Sequence, residues 1–193
     1  MRLAIVDLGY GNIGSIRVAF ERLGESPRMA SSPEQIAAAD RLVFPGVGAA
    51  GFAMRRLLDR GIDGALRDYD RPLLGICLGM QLLFERTEED ETEGVGLIPG
   101  TVRAIPPAPG LPVPHMGWSR LEVSDEHAGL RDGDYVYFAH SFACGPDAPS
   151  IALADYGGPI PAAVRQGNLV GCQFHPERSG PAGARFLQAF LQS

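Results

Sequence analysis

The chain has 193 residues, a formal net charge of -6, 45% hydrophobic and 21% charged residues. That length suits one domain with a substantial core, and the acidic balance argues against nucleic-acid binding, which calls for a basic patch. Three cysteines, Cys77, Cys144 and Cys172, none in a C-x-x-C pair, provide neither a disulfide framework nor the usual zinc spacing, so no metal and no cofactor are expected.

Residues 3–6 form an apolar run that ends at Asp7. It is too short for a signal peptide and reads as a buried strand. No stretch is long and apolar enough to span a membrane, so no membrane partner and a cytoplasmic location are expected. After the turn Gly9-Tyr10-Gly11-Asn12, residues 13–23 place Ile13, Ile16, Phe20 and Leu23 on one helical face. Ser32 and Pro33 suit the N-cap and first position of a short helix through residue 39. Leu42-Val43-Phe44 is a second strand, expected to break at Pro45-Gly46-Val47-Gly48. A helix is expected at 50–58, a third strand at 72–76 and a helix at 80–86.

This alternation predicts a single α/β domain whose central, mostly parallel or mixed sheet carries helices on both faces. Such sheets bind ligands at the carboxyl ends of their strands, where the glycine-rich turns at 9–14, 45–48 and 75–79 converge. The second half differs. Residues 87–93 are acidic and turn-like, and 99–114 are rich in proline and glycine. Strand-like runs at 135–138, 151–155, 162–165 and 169–174 suggest an antiparallel or mixed extension of the same sheet. A helix at 182–191 closes the chain. With no internal repeat and no linker, residues 1–193 are expected to be one domain.

Gly75-Ile76-Cys77-Leu78-Gly79 has the form of a nucleophile elbow, a strand turning sharply into a helix, with cysteine as the nucleophile. Glycines let neighbouring backbone pass where a Cβ would collide. Amides and dipole at the helix start favour a thiolate, and the N–H of Leu78 points to where an oxyanion would form. On this pentapeptide alone, Cys77 divides evenly between a nucleophile and a buried small hydrophobe. Gln173-Phe174-His175-Pro176-Glu177 follows another apolar run. In extended chain, residues two apart face one side, so His175 and Glu177 can meet, with Pro176 stiffening the link. A carboxylate beside an imidazole fixes its tautomer and stabilises its charge. An elbow cysteine and a histidine–carboxylate pair at two strand ends form the parts of a triad. His127 lies in a polar turn, and His115 and His140 have no carboxylate two residues away, so they rank below His175 as base. Cys144 and Cys172 lack an elbow and read as packing residues.

Gly75-Ile76-Cys77-Leu78-Gly79-Met80-Gln81 and Phe174-His175-Pro176-Glu177 resemble the motifs of triad-type, class I glutamine amidotransferases. Asp7-Leu8-Gly9-Tyr10-Gly11-Asn12, Pro45-Gly46-Val47-Gly48, Pro114-His115-Met116-Gly117-Trp118 and Tyr137-Phe138-Ala139-His140-Ser141 extend the likeness over the chain. Within that family they are most similar to the glutaminase subunits of imidazole glycerol phosphate synthases. The resemblance implies a flavodoxin-like fold and hydrolysis of glutamine to glutamate and ammonia by Cys77, His175 and Glu177. It implies an oxyanion hole from the backbone of Leu78, Val47 and Gly48, and substrate contacts from Gln81, Glu89, His140, Ser141 and Phe142. It also implies a heterodimer with a (β/α)8-barrel cyclase subunit, which uses the ammonia to make imidazole glycerol phosphate and an aminoimidazole carboxamide ribonucleotide in histidine biosynthesis. Asn12, Trp118, Tyr137 and Arg178 would lie near that partner. Two positions depart from the family: Arg178 stands where lysine is frequent, and Phe142 lacks the hydroxyl of a common tyrosine. Glu89 is otherwise a solvated loop charge and Trp118 otherwise a core aromatic. Two other readings remain at this point: a class I glutaminase serving another synthase, and a non-catalytic module that keeps an elbow cysteine.

Overall fold

The structure, a computed structural model, describes residues 1–193 apart from the side chain of His127. The first half runs β1 (Leu3–Val6), α1 (Ile13–Arg22), β2 (Arg28–Ala30), α2 (Pro33–Ala38), β3 (Arg41–Gly46), α3 (Ala50–Asp59), α4 (Ile62–Arg67), β4 (Leu73–Cys77) and α5 (Leu78–Gln81). The second continues with β5 (Phe84–Thr87), β6 (Thr92–Glu93), β7 (Ile98–Ala104), β8 (His115–Val123), β9 (Tyr135–His140) and β10 (Phe142–Cys144). It ends with β11 (Ser150–Asp155), β12 (Pro159–Gln166), β13 (Leu169–Cys172) and α6 (Gly180–Gln192). Short 3-10 turns lie at Glu89–Glu91, Glu126–Ala128 and Pro176–Arg178.

A nine-stranded sheet has the order β2-β1-β3-β4-β13-β12-β11-β8-β9. Its first five strands are parallel and the rest antiparallel, so β13 is the seam between the two halves. Alternation along the strands feeds two apolar layers. Ala4, Val6, Leu42 and Phe44 pack with Ile36, Leu57 and Leu66 from α2, α3 and α4. Leu3, Ile5 and Val43 pack on the other face with Phe20 of α1 and with Phe186 and Phe190 of α6. The expected sheet with helices on both faces is therefore present. Ser32 caps α2 through the Gln35 amide, with proline at the start of the helix, as expected.

Four expectations are corrected. The helix expected at 80–86 is the single turn α5, after which the chain becomes β5. The amides of Val95, Leu97 and Ile98 take the carbonyls of Leu82 and Leu83, which further helical amides would otherwise have used. The strand at Leu42–Phe44 does not break at Pro45 but pairs through Gly46, opposite Cys77. Proline needs no ladder donor there, and Pro45 still takes a place in the register. The Pro/Gly-rich region contains β7, which joins a second, four-stranded sheet of order β10-β7-β5-β6. Its short strands lack the apolar alternation that would have announced them. Finally, the run expected at 169–174 ends as a strand at Cys172, and Gln173 turns the chain toward the site.

Candidate functional site

The elbow is local stereochemistry imposed by close packing. Cys77 has φ 53° and ψ -117°, a left-side conformation that a non-glycine residue holds only under constraint. The constraint is visible next to it. A Cβ on Gly79 would sit 1.9 Å from the Phe44 carbonyl oxygen, and one on Gly75 2.7 Å from the Met80 Cα. Only glycine lets α5 turn back this tightly over β3 and β4. Cys77 is buried and heads the one-turn α5. Favour for an anion there comes from the amides of that first turn, rather than from the longer helix expected.

β13 runs parallel to β4, with Cys172 in register with Ile76, so the segment after β13 emerges beside the elbow. His175 Nδ1 lies 3.0 Å from Glu177 Oε1, and His175 and Cys77 line the same cavity. Cys77, His175 and Glu177, which the sequence singled out, all line one cavity. Burial resists charging of His175, but the neighbouring Cys77 and the hydrogen-bonded Glu177 outweigh it and raise the imidazole to about 10. The second Glu177 oxygen is buried and has no hydrogen-bond partner among the described residues. Backbone bonds fix the segment: the His175 amide donates to the Tyr137 carbonyl, and the buried Ser179 hydroxyl donates to the His175 carbonyl while accepting the Tyr137 amide.

These residues open into a cavity of about 400 Å³ at the carboxyl ends of β1, β3 and β4. The three glycine-rich turns meet there. Leu78, Val47 and Gly48 line it, as do Gln81 and Glu89, and so do His140, Ser141 and Phe142. Gly48 has φ 89°, natural only for glycine. Glu89 is not a free loop charge. Its Oε2 accepts the amide of Ala50 at the start of α3. Burial pushes its carboxyl up, the Ala50 bond holds it down and the Asp90 charge raises it again. Gln81 is buried and donates to the Phe142 carbonyl and to Gln173 Oε1, both at 2.8 Å.

Asn12 and Arg178 reach the cavity, whereas Trp118 and Tyr137 do not line it. Trp118 is 55% exposed, so it is no core aromatic. It meets Tyr137 edge-on at 6.0 Å, and the Arg178 guanidinium lies 4.8 Å over the Tyr137 ring. Cys144 and Cys172 are buried, free thiols pushed up by burial, in keeping with packing roles. The side chain of His127, expected in a polar turn, lies outside the described residues. Among the described residues no group of three or more His, Cys, Asp or Glu could hold a metal ion, and no helix is long and apolar enough to cross a membrane.

Two site neighbours carried no role in the sequence reading. His115 Nδ1 lies 3.0 Å from His140 Nε2, and the His115 ring stacks 3.8 Å from Tyr156 and 4.7 Å from Phe138. Burial lowers both histidines to about 4; for His140 the Phe142 carbonyl opposes this and the His115 and His175 charges add to it. Gln173 is fully buried and touches the Cys77 sulfur. Its only sequence signal is a polar residue inside an apolar run.

The glutamine amidotransferase class-I family model matches residues 4–193. The chain is 47% identical over 193 residues to the imidazole glycerol phosphate synthase subunit HisH of Xanthomonas oryzae pv. oryzae (strain MAFF 311018), covering 98% of this chain and 96% of that protein. It is 46% identical, at the same coverage, to the protein of that name from Xylella fastidiosa (strain Temecula1 / ATCC 700964). Among solved structures, a crystal structure of a glutamine amidotransferase superposes with a TM-score of 0.78 at 20% identity, covering 98% of this chain and 97% of that one. A glutamine amidotransferase from Thermotoga maritima gives 0.62 at 16%, covering 100% and 83%. These two share the fold. The match along nearly the whole sequence establishes that the chain belongs to the class-I glutamine amidotransferase family.

Proposed function

We propose that this chain hydrolyses glutamine and is the glutaminase subunit of an imidazole glycerol phosphate synthase, with residues 1–193 acting as one glutamine amidotransferase domain. The observation that carries the catalytic part is the strained Cys77 at one end of β4, facing the same cavity as a His175 that Glu177 holds at 3.0 Å. The Cys77 proton rests on His175, and the Cys77 thiolate attacks the amide carbon of glutamine. The oxyanion is held by the backbone N–H of Leu78 and of the Val47–Gly48 turn. His175 then protonates departing ammonia, and water hydrolyses the thioester to glutamate. Glu177 keeps the imidazole oriented and stabilises its charged form throughout.

Gln81, Glu89, His140, Ser141 and Phe142 hold the substrate in the cavity. The half-buried Glu89 carboxylate suits the α-ammonium group of an amino acid, and the site accepts a side-chain amide at the sulfur. Free ammonia is protonated in water and lost, so direct transfer to an acceptor site is needed. The partner is a (β/α)8-barrel cyclase subunit, and histidine biosynthesis is the pathway. Full-length relatives of 46–47% identity with the synthase-subunit name support this choice over another synthase. Asn12 and Arg178 at the cavity, with exposed Trp118 beside Tyr137, form the face that meets the partner. An intracellular, cytoplasmic location goes with this biosynthetic role.

The test is glutamate release by the purified chain, alone and with a barrel cyclase partner and its nucleotide ligand. Strong stimulation by the liganded partner is expected. Glutamine left intact by the complex would overturn the reading, and release without any effect of the cyclase would overturn its choice as partner.

A further inference from the structure

Gln173 is wholly buried between β13 and His175, and its amide has a direction that proton accounting determines. A main-chain carbonyl can only accept. The Phe142 carbonyl therefore requires hydrogen on His140 Nδ1, at 2.7 Å, and turns the Gln81 amide so that Nε2 faces it, at 2.8 Å. The same Gln81 Nε2 lies 2.8 Å from Gln173 Oε1. Gln173 is left with its Nε2 toward the Cys77 sulfur, 3.7 Å away.

The other arm is equally directed. His140, neutral with its hydrogen on Nδ1, accepts at Nε2 from His115 Nδ1–H at 3.0 Å. His115 in turn accepts at Nε2 from the Ser119 hydroxyl at 2.9 Å. Both arms end on the Phe142 carbonyl, and reversing any member would set donor against donor or acceptor against acceptor. An N–H held against sulfur favours thiolate over thiol, because the anion is the better acceptor.

We propose that Gln173 is a catalytic residue of this site: it donates an amide N–H to the Cys77 sulfur and holds it as thiolate, and the Phe142 carbonyl, acting through Gln81, fixes which end of Gln173 faces the sulfur. This rests on the reading of Cys77 as nucleophile. Gln173→Met keeps the shape and removes the donor, whereas Gln173→Glu sets a carboxylate against the thiolate.

The experiment is alkylation of the full-length chain by iodoacetamide, with the Cys77 peptide followed by mass spectrometry at pH 7 and above pH 10.5. At pH 7, Gln173→Met is expected to react roughly tenfold more slowly than the parent, and Gln173→Glu more slowly still. At the higher pH, where the thiol is ionised in either protein, parent and Gln173→Met should agree within roughly twofold. An unchanged rate at pH 7 overturns the proposal, and so does equal slowing at both pH values, which would mean altered access alone. Should neither variant fold by circular dichroism, Gln81→Leu frees Gln173 to turn over. It is expected to slow alkylation at pH 7 roughly threefold in the same pH-dependent way, and a parent-like rate overturns the proposal. Glutamine hydrolysis is followed in parallel with the cyclase partner present. A parent that shows the alkylation pattern but spares glutamine sinks the glutaminase reading alone.

Discussion

Two buried histidine environments meet at one cavity, which His175 and His140 line with His115 behind His140, and they have opposite electrostatics. His175 sits beside a thiol and a carboxylate and is raised to about 10. His115 and His140 sit among aromatic rings and each other and are lowered to about 4. Burial disfavours the imidazolium in all three, so burial is not the difference. Anionic partners within hydrogen-bonding reach decide the sign at His175, and their lack leaves desolvation to win at the other two. One region is therefore built to hold a proton next to Cys77. The other is built to stay neutral, so that each ring can donate at one nitrogen and accept at the other.

The sharpest way to break this comparison is to remove the anionic partners. Cys77→Ala is expected to cut glutamine turnover with the cyclase partner by about 10⁵-fold or more while the fold persists; retained turnover would remove Cys77 from its role. The same variant should lower the His175 titration midpoint followed by NMR. Glu177→Gln is expected to cost about 10⁴-fold in kcat and to lower the same midpoint. A His175 that titrates as in the parent in both variants would contradict the electrostatic assignment.

Stability against pH sharpens the contrast because the two regions act with opposite sign. His175 binds its proton more tightly when folded, so its contribution is complete below about 6.5 and is lost as pH rises through about 10. His115 and His140 bind theirs less tightly, so their contribution is complete above about 6.5 and is lost as pH falls toward 4. Urea unfolding across that range should show both flanks, with Glu177→Gln flattening the alkaline one. Gly79→Ala, which forces a Cβ onto the Phe44 carbonyl, should lose about 3 kcal/mol, or roughly 10 °C in Tm. A parent-like melt there would mean that the elbow is not sterically set. The smallest effect is expected for His115→Leu, about 1–2 kcal/mol at pH 7 from an unpaired His140 nitrogen. It should also flatten the acid flank, and an unchanged flank would show that the histidine pair does not shape it.

Most of the parallel half of the sheet was legible because local pattern and final position coincide; the short edge strand β2 was not expected. Leu3–Val6, Leu42–Phe44 and the run before Cys77 are continuous apolar strands, as buried parallel strands must be, and the turns after them had to face a common edge. The second sheet was not legible. β5, β6 and β10 are short, and β5 exists because residues 94–98 reach the carbonyls that a longer α5 would have used. That contest is settled by distant backbone, which no local window contains.

The sequence by itself determined the chemistry available: an elbow cysteine whose glycines permit only a tight turn, and a histidine and carboxylate two residues apart. Covalent spacing fixes both, whatever surrounds them. Only the tertiary structure decided how those groups are charged and aimed. Pairing β13 beside β4 brings His175 to Cys77. Pairing His115 in β8 opposite His140 in β9 keeps two histidines neutral. Burying Gln173 between Gln81 and the sulfur gives its amide one direction. Proton affinity and hydrogen-bond polarity depend on neighbours in space, and those neighbours come from strands far apart in the chain.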